Sequence, residues 1–220
     1  MSPIKLLRVI VPMKPVYEGM SRLATVLDSE RRAALSLILL HHVVQAVKCA
    51  KTKVETWVVG GDECVRAVSA RASAMWQVDP GGGLNEVVSH AAKNAFAEGV
   101  PAILVLPGDL GFLTGEDVDQ LVILSCGFRR PVLARAASDG GTNAILAPQG
   151  LLPGPCFGPD SFKRHLESAL IAKNPAVIAS AHGLDFDLDT PKDLVAYRKE
   201  RIDLDDTLAS WQKYSIQDLL

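Results

Sequence analysis

The sequence predicts an α/β domain in which a mostly parallel sheet lies between two layers of helices. Three observations carry that expectation. Short β-branched apolar runs recur along the chain, stretches of helical apolar spacing separate them, and the order strand, helix, strand persists through the first half. Such an order implies parallel strands joined by right-handed crossovers, the single Rossmann-like three-layer α/β/α sandwich.

Arg8 to Val11 is the first strand. Asp28 or Ser29 can cap a helix running through Arg32, Leu35, Leu39, Val43 and Val47. Thr56 to Val59 follows as strand, Asp62 to Ala72 as a short helix feeding a strand near Met75 to Val78, and Leu84 to Glu98 as a helix ended by Gly99. Ala102 to Leu106 is the next strand, and another helix follows Thr114-Gly115-Glu116. Pro131 to Ala136 and Asn143 to Ala147 read as two strands joined by Ser138-Asp139-Gly140-Gly141, which predicts a small antiparallel hairpin portion. Pro153 to Pro159 is loop, Ser161 to Ala172 helix, Ala176 to Ser180 strand, and Pro191 opens a helix as a first-turn proline should. Residues 1–200 therefore form one domain. Residues 201–220 read as a C-terminal tail whose Trp211, Ile216, Leu219 and Leu220 dock on the domain or on a partner subunit.

At 220 residues, 48% hydrophobic and 22% charged, the chain has the make-up of an ordinary globular domain. A net charge of −2 argues against a surface that neutralises many nucleic-acid phosphates. No apolar run approaches the roughly 20 residues that span a bilayer, and Met1 to Val11 is no signal peptide, so a cytoplasmic protein is expected. Cys49, Cys64, Cys126 and Cys156 form no C-x-x-C pair and read as buried free thiols. His41, His42, His90, His165 and His182 have no partner at metal-ligand spacing and read as structural or solvated.

In an open parallel sheet ligands sit beyond the carboxyl ends of the strands, so the residues following each apolar run are the candidates for chemistry. The first strand leads to Lys14 and Arg22, two cations that suit a triphosphate unless they are merely solvated loop charges. Ile103 to Leu106 delivers Asp109, which is either a turn former or a magnesium ligand. Asp187 and Asp189 flank Leu188 and point to one side of an extended segment. There they could share a cation with Asp109, or Asp189 could cap the helix that Pro191 opens. Pro80 to Asn85, with Gly83 and Asn85, could cradle phosphate or read a base edge. The turns Gly140 to Asn143 and Phe157 to Ser161 offer further amides and hydroxyls, although glycine turns are also common connectors.

As an ordered string, Val11-Pro12-Met13-Lys14-Pro15 with Ser21-Arg22-Leu23, Gly83-Leu84-Asn85, Leu106-Pro107-Gly108-Asp109-Leu110, Gly141-Thr142-Asn143-Ala144, Phe157-Gly158-Pro159-Asp160-Ser161-Phe162 and Asp187-Leu188-Asp189-Thr190-Pro191 resembles the CofC/FbiD family. The resemblance runs to about Leu194 and implies a nucleotide-diphospho-sugar transferase (GT-A-like) fold. It implies a guanylyltransferase that joins GMP from GTP to 2-phospho-L-lactate, phosphoenolpyruvate or 3-phospho-D-glycerate in coenzyme F-420 biosynthesis. By the same resemblance Asp109, Asp187 and Asp189 are magnesium ligands, and Thr142, Gly158 and Ser161 contact the acid. Lys14 and Arg22 hold the GTP phosphates, and Gly83 and Asn85 lie near guanine or ribose. Lys14, Arg22 and Asp109 would carry the catalysis. Separately, the apolar tail residues favour a homodimer.

Two departures stand out. Gly108 and Gly111 flank the first aspartate where the family usually has alanine and proline, and Asp160 stands where a glycine is usual, beside an anionic substrate. The alternatives are another nucleotidyltransferase or a nucleotide-sugar glycosyltransferase of this fold, and a non-catalytic nucleotide-binding module. Against the first, Val11 to Arg22 offers one glycine, Gly19, instead of a Gly-Gly loop.

Overall fold

The computed structural model describes residues 6–151 and 154–213. Its strands are β1 (Leu7–Met13), β2 (Val54–Gly60), β3 (Met75–Gln77), β4 (Ala102–Val105), β5 (Val132–Arg135), β6 (Thr142–Pro148) and β7 (Val177–Ala179). The helices are α1 (Ser29–Lys48), α2 (Glu63–Arg71), α3 (Leu84–Ala97), α4 (Gly115–Leu124), α5 (Ser161–Ile171), α6 (His182–Asp185), α7 (Pro191–Glu200) and α8 (Leu204–Lys213). Every strand read from the sequence is present.

One sheet of order β3-β2-β1-β4-β6-β5-β7 runs through the molecule. β1 pairs in parallel with β2 and β4, and β2 with β3, while β6 lies antiparallel to both β4 and β5. The hairpin is therefore not an edge decoration. Its second strand is threaded into the middle of the sheet, which is why all seven β6 residues are buried.

Alternation along β1 sorts the layers. Leu7, Val9 and Val11 join the core under α1, α2 and α4, whereas Ile10 joins the opposite core under α3 and α5. α1 is apolar on two sides. Leu37, Leu40, Val43 and Val47 face the sheet, while Leu35, Ile38 and Leu39 meet Leu194, Tyr197, Leu204 and Leu208 from α7 and α8. The C-terminal helices thus add a partial outer layer to the expected three. Part of the segment read as a tail is helix α8, because burying Leu204 and Leu208 against α1 needs helical spacing. Ile216, Leu219 and Leu220 lie outside the described residues.

The thiols are free, but Cys49 and Cys126 are exposed instead of buried. Each follows the last turn of a helix, where the chain returns to the surface. No helix among the described residues is long and apolar enough to cross a membrane.

Candidate active site

The loop after β1 is pinned from below. Val16 and Leu23 are buried, and the Val16 amide donates to Asp62 Oδ2 at 2.9 Å, so the exposed Lys14, Ser21 and Arg22 are presented at the rim. After β4, the buried Leu106 and Leu110 bracket Asp109 and hold it at the sheet's mouth. The two glycines have a local reason. A Cβ on Gly108 would strike Met13 Sδ, and one on Gly111 would lie 2.6 Å from Cε2 of Tyr197, which is fully buried.

The acidic strap is tied directly to that turn. Leu188 is buried and its amide donates to the Asp109 carbonyl at 3.1 Å, so the flanking Asp187 and Asp189 turn toward the opening. Asp187 accepts from Ser138 Oγ at 3.2 Å and from Asn143 Nδ2 at 3.4 Å. Asp189 accepts from the Arg22 guanidinium, which also lies 3.8 Å from Asp139. Asp189 is not the cap of α7. Thr190 caps it, in a reciprocal box with Asp193, which leaves Asp189 to the cleft.

Asp109 keeps part of its surface open, but its Oδ1 is shut off from solvent and has no hydrogen-bond partner. Burial first, then the charges of Asp187 and Asp189, push its carboxyl up to about 7. Burial also raises Asp187, opposed by its bonds to Asn143 and Ser138. Among the described residues no three His, Cys, Asp or Glu side chains stand close enough together to form a ready-made metal cluster. The arrangement still fits magnesium, which takes one or two carboxylates plus substrate phosphates and would satisfy the orphaned Oδ1 while relieving the repulsion.

Two cavities meet at Asp109. The first, about 640 Å³, is lined by Lys14, Arg22, Gly83 and Asp189, and the second, about 530 Å³, by Thr142, Gly158, Ser161 and Asp187. Pro12, Arg22, Leu84, Pro107 and Asp109 line both. Every candidate except Asn85 is thereby brought to one cleft. Asn85 lines neither cavity. Its Oδ1 accepts from the Phe157 amide at 2.7 Å and its Nδ2 donates to the Phe157 carbonyl at 3.3 Å, so both ends of the amide are engaged in holding the loop that carries Gly158. Gly158 has φ +118°, a backbone that side chains rarely adopt. Asp160, exposed, stands among the residues lining the second cavity.

Several members of the site were not singled out in the sequence. Ser138 and Asn143 hold Asp187, Asp79 lines the first cavity, and His165 lies beneath the second, bonded to Thr142. Ser138 and Asn143 sit in the turn already marked by its glycines. His165 stands four residues after Ser161, a helical spacing that puts both on one face, but nothing in the sequence tells which side chain they meet.

Solved structures share the fold. A putative nucleotide-diphospho-sugar transferase from Desulfovibrio desulfuricans matches with TM-score 0.70 at 19% identity, covering 93% of this chain and 97% of that one. A 4-diphosphocytidyl-2C-methyl-D-erythritol synthase from Anaerococcus prevotii matches with TM-score 0.60 at 11% identity, covering 90% and 96%. The sequence relatives give the class: the protein is a nucleotidyltransferase. A family profile described as "Guanylyl transferase CofC like" matches residues 7–197. A phosphoenolpyruvate guanylyltransferase from Sphaerobacter thermophilus is 35% identical over 186 residues, 84% of this chain and 89% of the relative. A 3-phospho-D-glycerate guanylyltransferase from Phenylobacterium zucineum is 34% identical over 179 residues, 80% of this chain and 82% of the relative. The chain belongs to the CofC-like guanylyl transferase family.

Proposed function

We propose that this chain transfers GMP from GTP to the phosphate of phosphoenolpyruvate, with magnesium and release of pyrophosphate, as a step toward coenzyme F-420. The observation that carries the reading is the meeting of two cavities at Asp109, a carboxylate with an unpartnered oxygen and a raised pKa. One cavity offers cations and a glycine turn, the other small hydroxyls. Relatives named phosphoenolpyruvate guanylyltransferase support the choice of acid.

The chemistry asks little of the protein beyond positioning. A phosphate monoester with a second pKa near about 6 is already largely dianionic at neutral pH and needs no general base. Lys14 and Arg22 bind the triphosphate, with Arg22 exchanging its carboxylate partner Asp189 for phosphate oxygens. Thr142 and Ser161 hold the acid so that its phosphate oxygen faces the α-phosphorus. Magnesium drawn to Asp109, Asp187 and Asp189, with one or two of the three as direct ligands, would offset the charge that builds as pyrophosphate leaves. Exposed Ile171 and the edge-strand residue Ile178 favour a homodimer, and light scattering should report twice the chain mass. Localisation is read as cytoplasmic.

A second reading has one observation in its favour. The Asp160 carboxylate at the rim of the acid cavity can accept a hydrogen bond from the hydroxyl of 3-phospho-D-glycerate, a group that phosphoenolpyruvate lacks. The deciding experiment incubates the protein with each of four nucleoside triphosphates and each of three acids, with and without magnesium, and weighs the products. A guanylylated phosphoenolpyruvate formed only with magnesium supports the proposal. Nucleotide binding without pyrophosphate release removes it.

A further inference from the structure

The hydroxyl pair in the acid cavity is wired to a buried histidine that the proposed chemistry does not use. His165 is wholly buried on α5, one turn after Ser161, with the Phe157 ring edge-on at 5.1 Å. Its Nε2 lies 2.9 Å from the main-chain nitrogen of Cys156, and its Nδ1 lies 3.0 Å from Thr142 Oγ1. Thr142 Oγ1 is in turn 3.1 Å from Ser161 Oγ.

Hydrogen counting gives this chain a direction. The Cys156 amide can only donate, so Nε2 must be the bare, accepting nitrogen. Burial, then the nearby Arg164 charge, lowers the ring's pKa to about 4, so at neutral pH it carries one proton, which must sit on Nδ1. A backbone hydrogen bond with Ser161 works against these two effects without reversing them. Nδ1 therefore donates to Thr142 and accepts nothing. Thr142 and Ser161 bring two hydroxyl hydrogens between them, and their mutual bond uses one. The other is left for the cavity that both residues line. With the opposite tautomer, Nδ1 would accept that second hydrogen and the pair would offer the cavity only lone pairs, which repel an anion.

We propose that His165 is a positioning residue that sets the polarity of the acid cavity: by donating to Thr142 it keeps one hydroxyl hydrogen of the Thr142–Ser161 pair free to donate to the carboxylate of the bound acid. The inference rests on the guanylyltransferase reading of the second cavity and names a determinant of its acid specificity. It also couples that determinant to the loop before Gly158, because Cys156 fixes the tautomer. The loop must be seated for the hydroxyls to face the right way.

Three measurements on the full chain test it. In His165→Asn the amide nitrogen can take the place of Nδ1 and still donate, whereas His165→Phe fills the space and donates nothing. In His165→Phe the second hydroxyl hydrogen survives but nothing orients it, so with GTP saturating the KM for the acid should rise severalfold, short of the roughly tenfold or more of losing a hydrogen bond to a charged group outright, with the KM for GTP unchanged. His165→Asn should recover most of the loss. Nitrogen shifts of the labelled wild-type histidine should show Nδ1 protonated and Nε2 bare from pH 6 to 8. An unchanged acid KM in His165→Phe, no recovery in His165→Asn, or a proton found on Nε2 would each overturn the proposal. If His165→Phe does not fold, the asparagine variant and the ring shifts still decide. A wild-type protein that guanylylates no acid defeats the functional reading instead, and the ring shifts judge the tautomer independently of it.

Discussion

The two sides of the cleft are built in opposite ways. On the nucleotide side the candidate groups are exposed and long or have no side chain at all: Lys14, Arg22 and the glycine turn before α3. On the acid side they are short and packed away. Thr142 is 8% exposed, Ser161 2% and His165 0%, linked by hydrogen bonds among themselves. A triphosphate is large and highly charged, so mobile cations can find it without exact placement. A small acid presents few atoms, and fixed donors must recognise it. The difference teaches that preorganisation is concentrated where the ligand supplies the least.

Substitutions can break this contrast or sharpen it. Asp109→Asn removes the one carboxylate shared by both cavities and should lower kcat on the order of a thousandfold with either substrate saturating, while circular dichroism stays unchanged. Thr142→Val keeps the shape but takes away the hydroxyl that His165 Nδ1–H meets. It should raise the acid KM about tenfold and cost about 1–3 kcal/mol in urea unfolding, with GTP affinity untouched. Lys14→Ala acts only on the other side. A severalfold rise in the GTP KM is expected, shrinking at high salt as befits an exposed charge, with stability preserved. The last effect concerns stability against pH. Folded Asp109 keeps its proton to about pH 7, whereas the unfolded chain releases it near 3.8. Stability from this group is thus greatest at low pH and declines, by at most about 1.4 kcal/mol per pH unit, until about pH 7. In metal-free buffer the melting temperature of wild type relative to Asp109→Asn should fall between pH 5 and 7 and then level off, and magnesium should lift it at pH 8.

What the sequence made legible follows its periodicities. Short β-branched apolar runs placed β1, β2 and β4, and with them the ends that carry Lys14 and Asp109. A period of two put Asp187 and Asp189 on one side of Leu188. Partners distant in the chain were not legible. Asn85 looked like a base reader because it follows three glycines, yet its amide matches the Phe157 backbone, 72 positions away. Asp189 looked able to cap α7, but the helix begins at Pro191, so the N-cap position falls on Thr190. The last helix read as tail because its charges mask Leu204 and Leu208, and only the uncovered flank of α1 explains their burial.

The bond from the Leu188 amide to the Asp109 carbonyl has a consequence for the order in which the enzyme comes into being. A growing polypeptide displays the Lys14 loop first and the Asp109 turn midway, but nothing brings the last two acids until residue 189 has left the ribosome. Nascent fragments, and products of proteolysis cut before that point, hold cationic loops without the acidic strap.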